Sequence, residues 1–430
     1  RRKNNNNRQI MFRSFEKIKC STSLLITSLL MPVTSVIAEN HSMLTFNFND
    51  QPQLHTQQYN DENGFGVDNF KNSTENAFSV KMDEGDYQVT VTVKGKKSNN
   101  TFLIFSEDRR VMTPISTINN NEIQQFSFYV NVKNTLLTQS EHDNSNTPRV
   151  RIRGDEYVSR NWDNKLTIAL SNQSVQFNNI QIESVNVAKI LLAGDSTVTD
   201  QTSSDYASWG QFLPALISNR LIVNHARSGE TLKSFITSLR WDKTLSHTNA
   251  GDIVLIQFAH NDEKKQWPRT YAAANGAYPE YLRAFIADVR QKGAYPVLVP
   301  PVARRIYDKK GQLVNTHAGY DQAVRNIAQA KKVPVIDLTA QTSQLYQALS
   351  KINVPKIFAN QGKDKTHHNH LGAFLIANMV ANNLQVIYPA LTKLVDTDVN
   401  LLNPNVTNPA LFNQALWPDM RHVKVAISGN

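Results

Sequence analysis

Ser196, Asp364 and His367 are residues of this chain whose types and spacing suit covalent chemistry. Ser196 ends the triplet Gly194-Asp195-Ser196, directly after the apolar run Lys189-Ile-Leu-Leu-Ala193, and Asp364 stands three residues before His367, just ahead of a predicted helix. A serine hydroxyl is a poor nucleophile at neutral pH. Acyl transfer needs an imidazole to take its proton and a carboxylate to hold that imidazole in the right tautomer. The three side chains supply nucleophile, base and orienter, and the reaction calls for no cofactor.

The elements that must position them follow an α/β rhythm after about residue 188. Strands are predicted at Ile190-Leu-Leu-Ala, Leu221-Ile-Val-Asn, Ile253-Val-Leu-Ile-Gln-Phe, Pro296-Val-Leu-Val and Pro334-Val-Ile-Asp-Leu. Helices are predicted around 208–219, 231–239, 278–292, 318–331, 340–350 and 371–387. Such alternation implies a parallel sheet covered on both faces, with ligands at the carboxyl ends of the strands. Ser196, the stretch from Asn224 to Gly229, and Asn261 all fall just past such ends.

Earlier segments are short and alternate with period two: Met43–Phe48, Tyr87–Val93, Thr101–Phe105, Gln125–Val132, Leu166–Leu170 and Asn179–Ile182. That pattern, punctuated by Asn, Asp and Gly, indicates a β-sandwich. The expected organisation is a leader over 1–38, a β-sandwich over 39–187, a catalytic α/β domain over 188–394 and an extended tail over 395–430.

The formal charge of +10 suggests a polyanion-binding protein until it is located. Seven of the 46 Lys and Arg fall in residues 1–38 against one of the 36 Asp and Glu, so the rest is about +4 and nucleic acid is not expected as a partner. Basic residues through Lys19 precede the apolar stretch Leu24–Ala38, which reads as a secretory signal peptide cleaved after Ala38. The stretch is too short and too rich in Thr, Ser and Pro for a membrane anchor. A periplasmic or extracellular bacterial protein is expected, with no membrane association after cleavage and no obligate protein partner. Cys20 lies in that leader, so a mature chain would have neither disulfides nor thiol catalysis.

No Gly-x-Ser-x-Gly elbow is present, because Gly194-Asp-Ser196-Thr-Val198 lacks the second glycine. Taken singly, Gly-Asp-Ser also suits a turn or cap, Gly229 a tight strand-to-helix turn, and Asn261 a loop or N-cap. The run His367-His368-Asn369-His370 invites a metal reading, but no cysteine or matching carboxylate cluster completes a ligand set, and no metal is expected.

Four blocks in order, Gly194-Asp195-Ser196, Gly229, Asn261 and Asp364-x-x-His367, resemble those of the SGNH (GDSL-like) hydrolases. The resemblance implies a three-layer, flavodoxin-like α/β domain. It also implies an oxyanion hole made by the backbone N–H groups of Ser196 and Gly229 and the side-chain amide of Asn261. Ser208-Trp-Gly-Gln211, His260-Asn-Asp262, Pro300–Arg305, Tyr320–Arg325 and Ile336-Asp-Leu338 look like segments of the rhamnogalacturonan and pectin acetylesterase branch. The β-rich lead-in, with Trp162-Asp-Asn-Lys-Leu166, resembles the galactose-binding-like module that often precedes its bacterial members. One departure stands out: the family's Gly-His-Asn-Asp is Ala259-His260-Asn261-Asp262 here, which is strained if that position needs positive φ.

That branch implies a substrate of acetylated pectic polysaccharide or oligosaccharide, on homogalacturonan or rhamnogalacturonan, with release of acetate. His260, Trp209 and Arg304 are the expected substrate contacts, with core packing beside the Ser196 loop as the other reading of Trp209. Arg227, Lys233 and Arg305 could also pair with uronate carboxylates, and Trp241 and Trp267 could stack on sugar rings. Two alternatives remain open, a lipase or thioesterase of the same superfamily acting on longer acyl esters, and a non-catalytic carbohydrate-binding protein.

Overall fold

Alternating apolar and polar residues build the first half of the chain into antiparallel sheets. The structure, a computed structural model, describes residues 43–70, 73–137, 146–203, 205–317 and 319–395. The expected signal peptide, and the expected tail beyond Val395, lie outside the described residues. The strands are β1 (Leu44–Asn47), β2 (Phe65–Val67), β3 (Asn76–Lys81), β4 (Gly85–Gly95), β5 (Asn100–Phe102), β6 (Ile104–Ser106), β7 (Arg110–Val111), β8 (Ser116–Ile118), β9 (Ile123–Val132), β10 (Lys165–Leu170) and β11 (Val175–Ser184).

One antiparallel sheet runs β1-β11-β4-β9 and a second runs β2-β3-β10-β6-β7, with β5 and β8 forming a short pair. Strand β4 buries Tyr87, Val89, Val91 and Val93 and leaves the residues between them partly exposed. Those side chains share one apolar core with Phe46, Phe128, Phe177 and Ile180 of the same sheet and with Phe78, Ile104, Ile168 and Leu170 of the other. Each fully buried side chain of this kind stabilises the fold by about 1.5–3 kcal/mol.

Continuous apolar runs build the second half. Strands β12 (Lys189–Gly194), β13 (Leu221–Asn224), β14 (Ile253–Gln257) and β15 (Tyr295–Leu298) form a parallel sheet in the order β13-β12-β14-β15. Side chains leave it alternately in two directions. Ile190, Leu192, Ile253 and Leu255 join a core with Trp209, Phe212, Leu345 and Leu375. Leu191, Ala193, Val254 and Ile256 join another with Phe235, Trp241, Phe285 and Val324. Helices α1 (Trp209–Phe212), α6 (Leu338–Ala348) and α8 (His370–Ile387) therefore cover one face, and α2 (Leu232–Thr237), α3 (Arg240–His247), α4 (Ala277–Gln291) and α5 (Tyr320–Lys331) the other. The short α7 (Ser350–Asn353) follows α6.

Three expectations need correction. The fifth strand at 334–338 reduces to one parallel bridge, Leu298 to Val335, because Asp337 caps α6 by accepting from the Ala340 amide at 3.1 Å and the chain turns helical at once. The helix expected over 208–219 ends at Phe212 and tightens into a 3-10 turn at Leu213–Ala215, where Pro214 cannot donate. The helix expected over 231–239 stops at Thr237, and Leu239 at φ 62° separates it from α3, which was not foreseen.

The two halves meet through buried polar contacts as well as apolar ones. Leu103, Phe105 and Val111 pack in the same cluster as Ile190 and Phe212. The β6–β7 turn places Arg109, at φ 55°, against the second half. Its guanidinium donates to the carbonyls of Gln201 (3.2 Å) and Ser203 and lies 2.8 Å from His370 Nε2. Arg110 pairs with Asp200 at 2.8 Å, both buried.

Candidate active site

Gly194 closes β12, and a Cβ there would lie 2.5 Å from Val198 Cγ2. The absent side chain lets the chain fold back sharply, with the Val198 and Thr199 amides donating to the Asp195 carbonyl. Ser196 sits in that turn, almost wholly buried, and its carbonyl accepts from Gln201 Nε2 at 2.7 Å.

Ser196 Oγ lies 2.9 Å from His367 Nε2, and His367 Nδ1 lies 3.0 Å from Asp364 Oδ2. The other Asp364 oxygen accepts from the amides of Thr366 (2.6 Å) and His367 (2.8 Å), which locks the loop before α8. Burial alone would raise the Asp364 carboxyl, but the hydrogen bonds from His367 and these two amides bring it down to about 2. An ionised carboxylate can only accept, so Nδ1 of the neutral imidazole donates to it and Nε2 is left to accept the Ser196 proton.

Gly229, at φ +81°, lies in the loop after β13. The same loop is tied to the Ser196 turn by Arg227 N–H donating to the Gly194 carbonyl at 3.1 Å. Asn261 follows β14, and its Nδ2 donates to the Glu230 carbonyl at 3.0 Å. Ala259, two residues earlier, has φ +143°, so the residue that replaces the family's glycine does occupy a glycine-favouring conformation. Asp262 Oδ1 accepts from the Leu232 amide at 2.9 Å, joining this segment to the start of α2.

The expected substrate contacts are placed differently. Trp209 is 1% exposed and packs in the core, its Nε1 donating to Gln257 Oε1 at 3.0 Å, so sugar stacking is closed to it. Its large indole instead packs beside the Ser196 turn, where Gln257 also donates to Thr197 Oγ1. His260 is buried with Nδ1 3.3 Å from Asp195 Oδ2 and its ring edge-on to His317, and burial lowers its pKa to about 4. Arg304 is engaged by Glu263 at 2.5 Å, by Thr316 and by the His260 carbonyl. Arg227 pairs with Asp155 at 2.6 Å, and Arg305 donates to the carbonyls of Gly362 and Asp364. Trp241 is buried against Phe285, whereas Trp267 is 38% exposed.

The histidine run does not converge. His368 Nε2 is 2.7 Å from the Tyr346 hydroxyl, and His370 faces Arg109. Among the described residues no group of three His, Cys, Asp or Glu is placed to hold a metal ion, and no helix is long and apolar enough to cross a membrane.

Sequence reasoning missed Lys264, whose Nζ donates to Asn261 Oδ1 at 3.0 Å, and the Arg109 turn. The i, i+3 spacing of Asn261 and Lys264 is a visible signal for the first. Nothing in the sequence links Arg109 to residues 92 and 261 positions away.

A serine–histidine–aspartate relay at the carboxyl edge of a parallel sheet is the arrangement of an acyl hydrolase. The profile of the GDSL-like lipase/acylhydrolase family matches residues 192–372. The rhamnogalacturonan acetylesterase RhgT of Bacillus subtilis is 35% identical over 211 residues, 46% of this chain and 89% of that protein. The probable rhamnogalacturonan acetylesterase YesY of the same organism is 32% identical over 210 residues, 48% of this chain and 96% of that one. A solved Bacillus subtilis structure aligns at 18% identity and a TM-score of 0.45, over 77% of this chain and 93% of that chain. The chain belongs to the GDSL-like lipase/acylhydrolase family and is a carboxylic ester hydrolase. Within that family it falls on the rhamnogalacturonan acetylesterase branch.

Proposed function

We propose that this chain is an exported carbohydrate esterase that removes O-acetyl groups from pectic polysaccharide, either homogalacturonan or rhamnogalacturonan. The observation that carries the reading is the relay from Ser196 Oγ through His367 to Asp364, with steps of 2.9 and 3.0 Å. Names of relatives supply the acetyl group and the polymer class.

In this reading Ser196 Oγ attacks the acetyl carbonyl carbon while His367 Nε2 takes its proton. The negative oxygen of the tetrahedral intermediate is met by the N–H groups of Ser196 and Gly229 and by the Asn261 amide. Asn261 has two amide hydrogens and Glu230 accepts one, leaving a second for this role. Each such donor lowers the barrier by roughly 3–4 kcal/mol. His367 then protonates the departing sugar oxygen, and a water molecule, deprotonated by His367 in turn, attacks the acyl-enzyme to release acetate and restore Ser196.

Trp267 offers an exposed face to a sugar ring, with the Lys264 ammonium 4.5 Å from its centroid. The two antiparallel sheets with their common core are read as a galactose-binding-like β-sandwich over 39–187, ahead of the hydrolase domain over 188–394. Basic residues ahead of an apolar run up to Ala38 support export to the periplasm or medium.

The test is acetate release from acetylated homogalacturonan, rhamnogalacturonan and xylan, beside a series of nitrophenyl esters of increasing acyl length. Release from a pectic polymer together with a preference for acetyl esters is expected. Rejection of every polymer with a preference for long acyl chains would overturn the substrate reading.

A further inference from the structure

Asn261 is held at both ends of its amide. Its Nδ2 faces the Glu230 carbonyl at 3.0 Å, a group that only accepts, and its Oδ1 faces Lys264 Nζ at 3.0 Å, a group that only donates. Turning the amide over would set NH₂ against an ammonium and a carbonyl against a carbonyl. The two partners therefore fix which end is which, and they do so without using the second hydrogen on Nδ2.

Lys264 is itself fixed. Its backbone N–H donates to the Asn261 carbonyl at 3.1 Å, so the two residues share one tight turn, and the ammonium lies over the Trp267 ring. A positive charge on the amide oxygen also draws electron density from the amide nitrogen. The remaining N–H becomes a stronger donor, as charge-assisted and chained hydrogen bonds do.

We propose that Lys264 is a positioning residue for the reaction, one that orients and strengthens the Asn261 amide as an oxyanion donor. The inference rests on the oxyanion role given to Asn261 under the proposed function. It makes Lys264 act on every acyl substrate alike, charged or neutral, because its partner is the protein and not the polymer.

The experiment uses the full chain with Lys264→Met, Lys264→Arg, Asn261→Ala and the Lys264→Met/Asn261→Ala double variant, assayed on a neutral nitrophenyl acetate after thermal melts establish folding. Lys264→Met is expected to lower kcat roughly 10-fold with KM unchanged, less than the roughly 10²–10³ expected for Asn261→Ala. Lys264→Arg should recover part of the loss, and the double variant should be no slower than Asn261→Ala alone. A normal kcat on the neutral ester, with a raised KM on acidic pectin, would overturn the inference and make Lys264 a contact for the polymer. Additive losses in the double variant would overturn it too. An unchanged rate in Asn261→Ala would instead remove the oxyanion reading, and the role of Lys264 with it.

Discussion

His260 Nδ1 lies 3.3 Å from Asp195 Oδ2, so the residue before Ser196 is braced by the residue before Asn261. Both side chains are buried. His260 is lowered to about 4 by burial, and His368 to about 3 for the same first cause. Between those values and 6.5 an unfolded chain binds protons that the folded chain does not, so stability must fall as pH falls through that window. For His260 the loss from pH 7 to pH 4 is on the order of 3 kcal/mol. Urea unfolding midpoints at pH 7, 5.5 and 4 should decline in that order, and a flat profile would contradict neutral buried histidines.

Asp364 holds His367 with one oxygen and the loop amides with the other. Asp364→Asn keeps the shape but permits the wrong imidazole tautomer. We expect kcat to fall roughly 10³–10⁴-fold with little change in KM. Steady-state kinetics on an acetyl ester checks this, and a loss under tenfold would show that another group orients His367.

Ala259 carries a Cβ at φ +143°, where L side chains are strained. Ala259→Gly should therefore raise stability by about 1 kcal/mol, the reverse of the usual Ala→Gly effect. Ala377, fully buried in the middle of α8, provides the control, since glycine there should destabilise. Equal losses at both positions in urea titrations would contradict the strain.

Arg109 joins the β6–β7 turn to the Gln201 and Ser203 carbonyls and to His370 at the start of α8. These are the segments that follow Ser196 and His367. Arg109→Met should cost about 3 kcal/mol through buried groups that lose a charged donor, and should slow turnover by loosening both segments. Residues 188–394 made alone should melt far below the full chain, because Leu103, Phe105 and Val111 complete an apolar cluster there. An independent fold with normal activity would show the lead-in to be detachable.

Much of this was legible in the chain. Strands such as Ile190–Ala193 and Ile253–Gln257 are covered on both faces and read as unbroken apolar runs. Ser196, Asp364 and His367 stood out because four blocks in order resemble those of the SGNH hydrolases, each alone also suiting a turn or cap, and the structure brings the three side chains together. Strand β3 was not, since it buries Ala77, Phe78, Ser79 and Val80 in succession, with Ser79 bonded to Thr167, and shows no alternation. The break at Leu239 has no glycine or proline to announce it. Trp209 stayed between two readings because an indole after the Gly-Asp-Ser block suits a sugar platform as well as a core, and its partner Gln257, 48 residues away, decides for the core.

The most direct test is acetate release from acetylated rhamnogalacturonan by the intact protein and by Ser196→Ala at equal concentration. Release by the first and none above background by the folded variant is the predicted result. Equal release by both would contradict a Ser196 nucleophile, whatever the geometry around it.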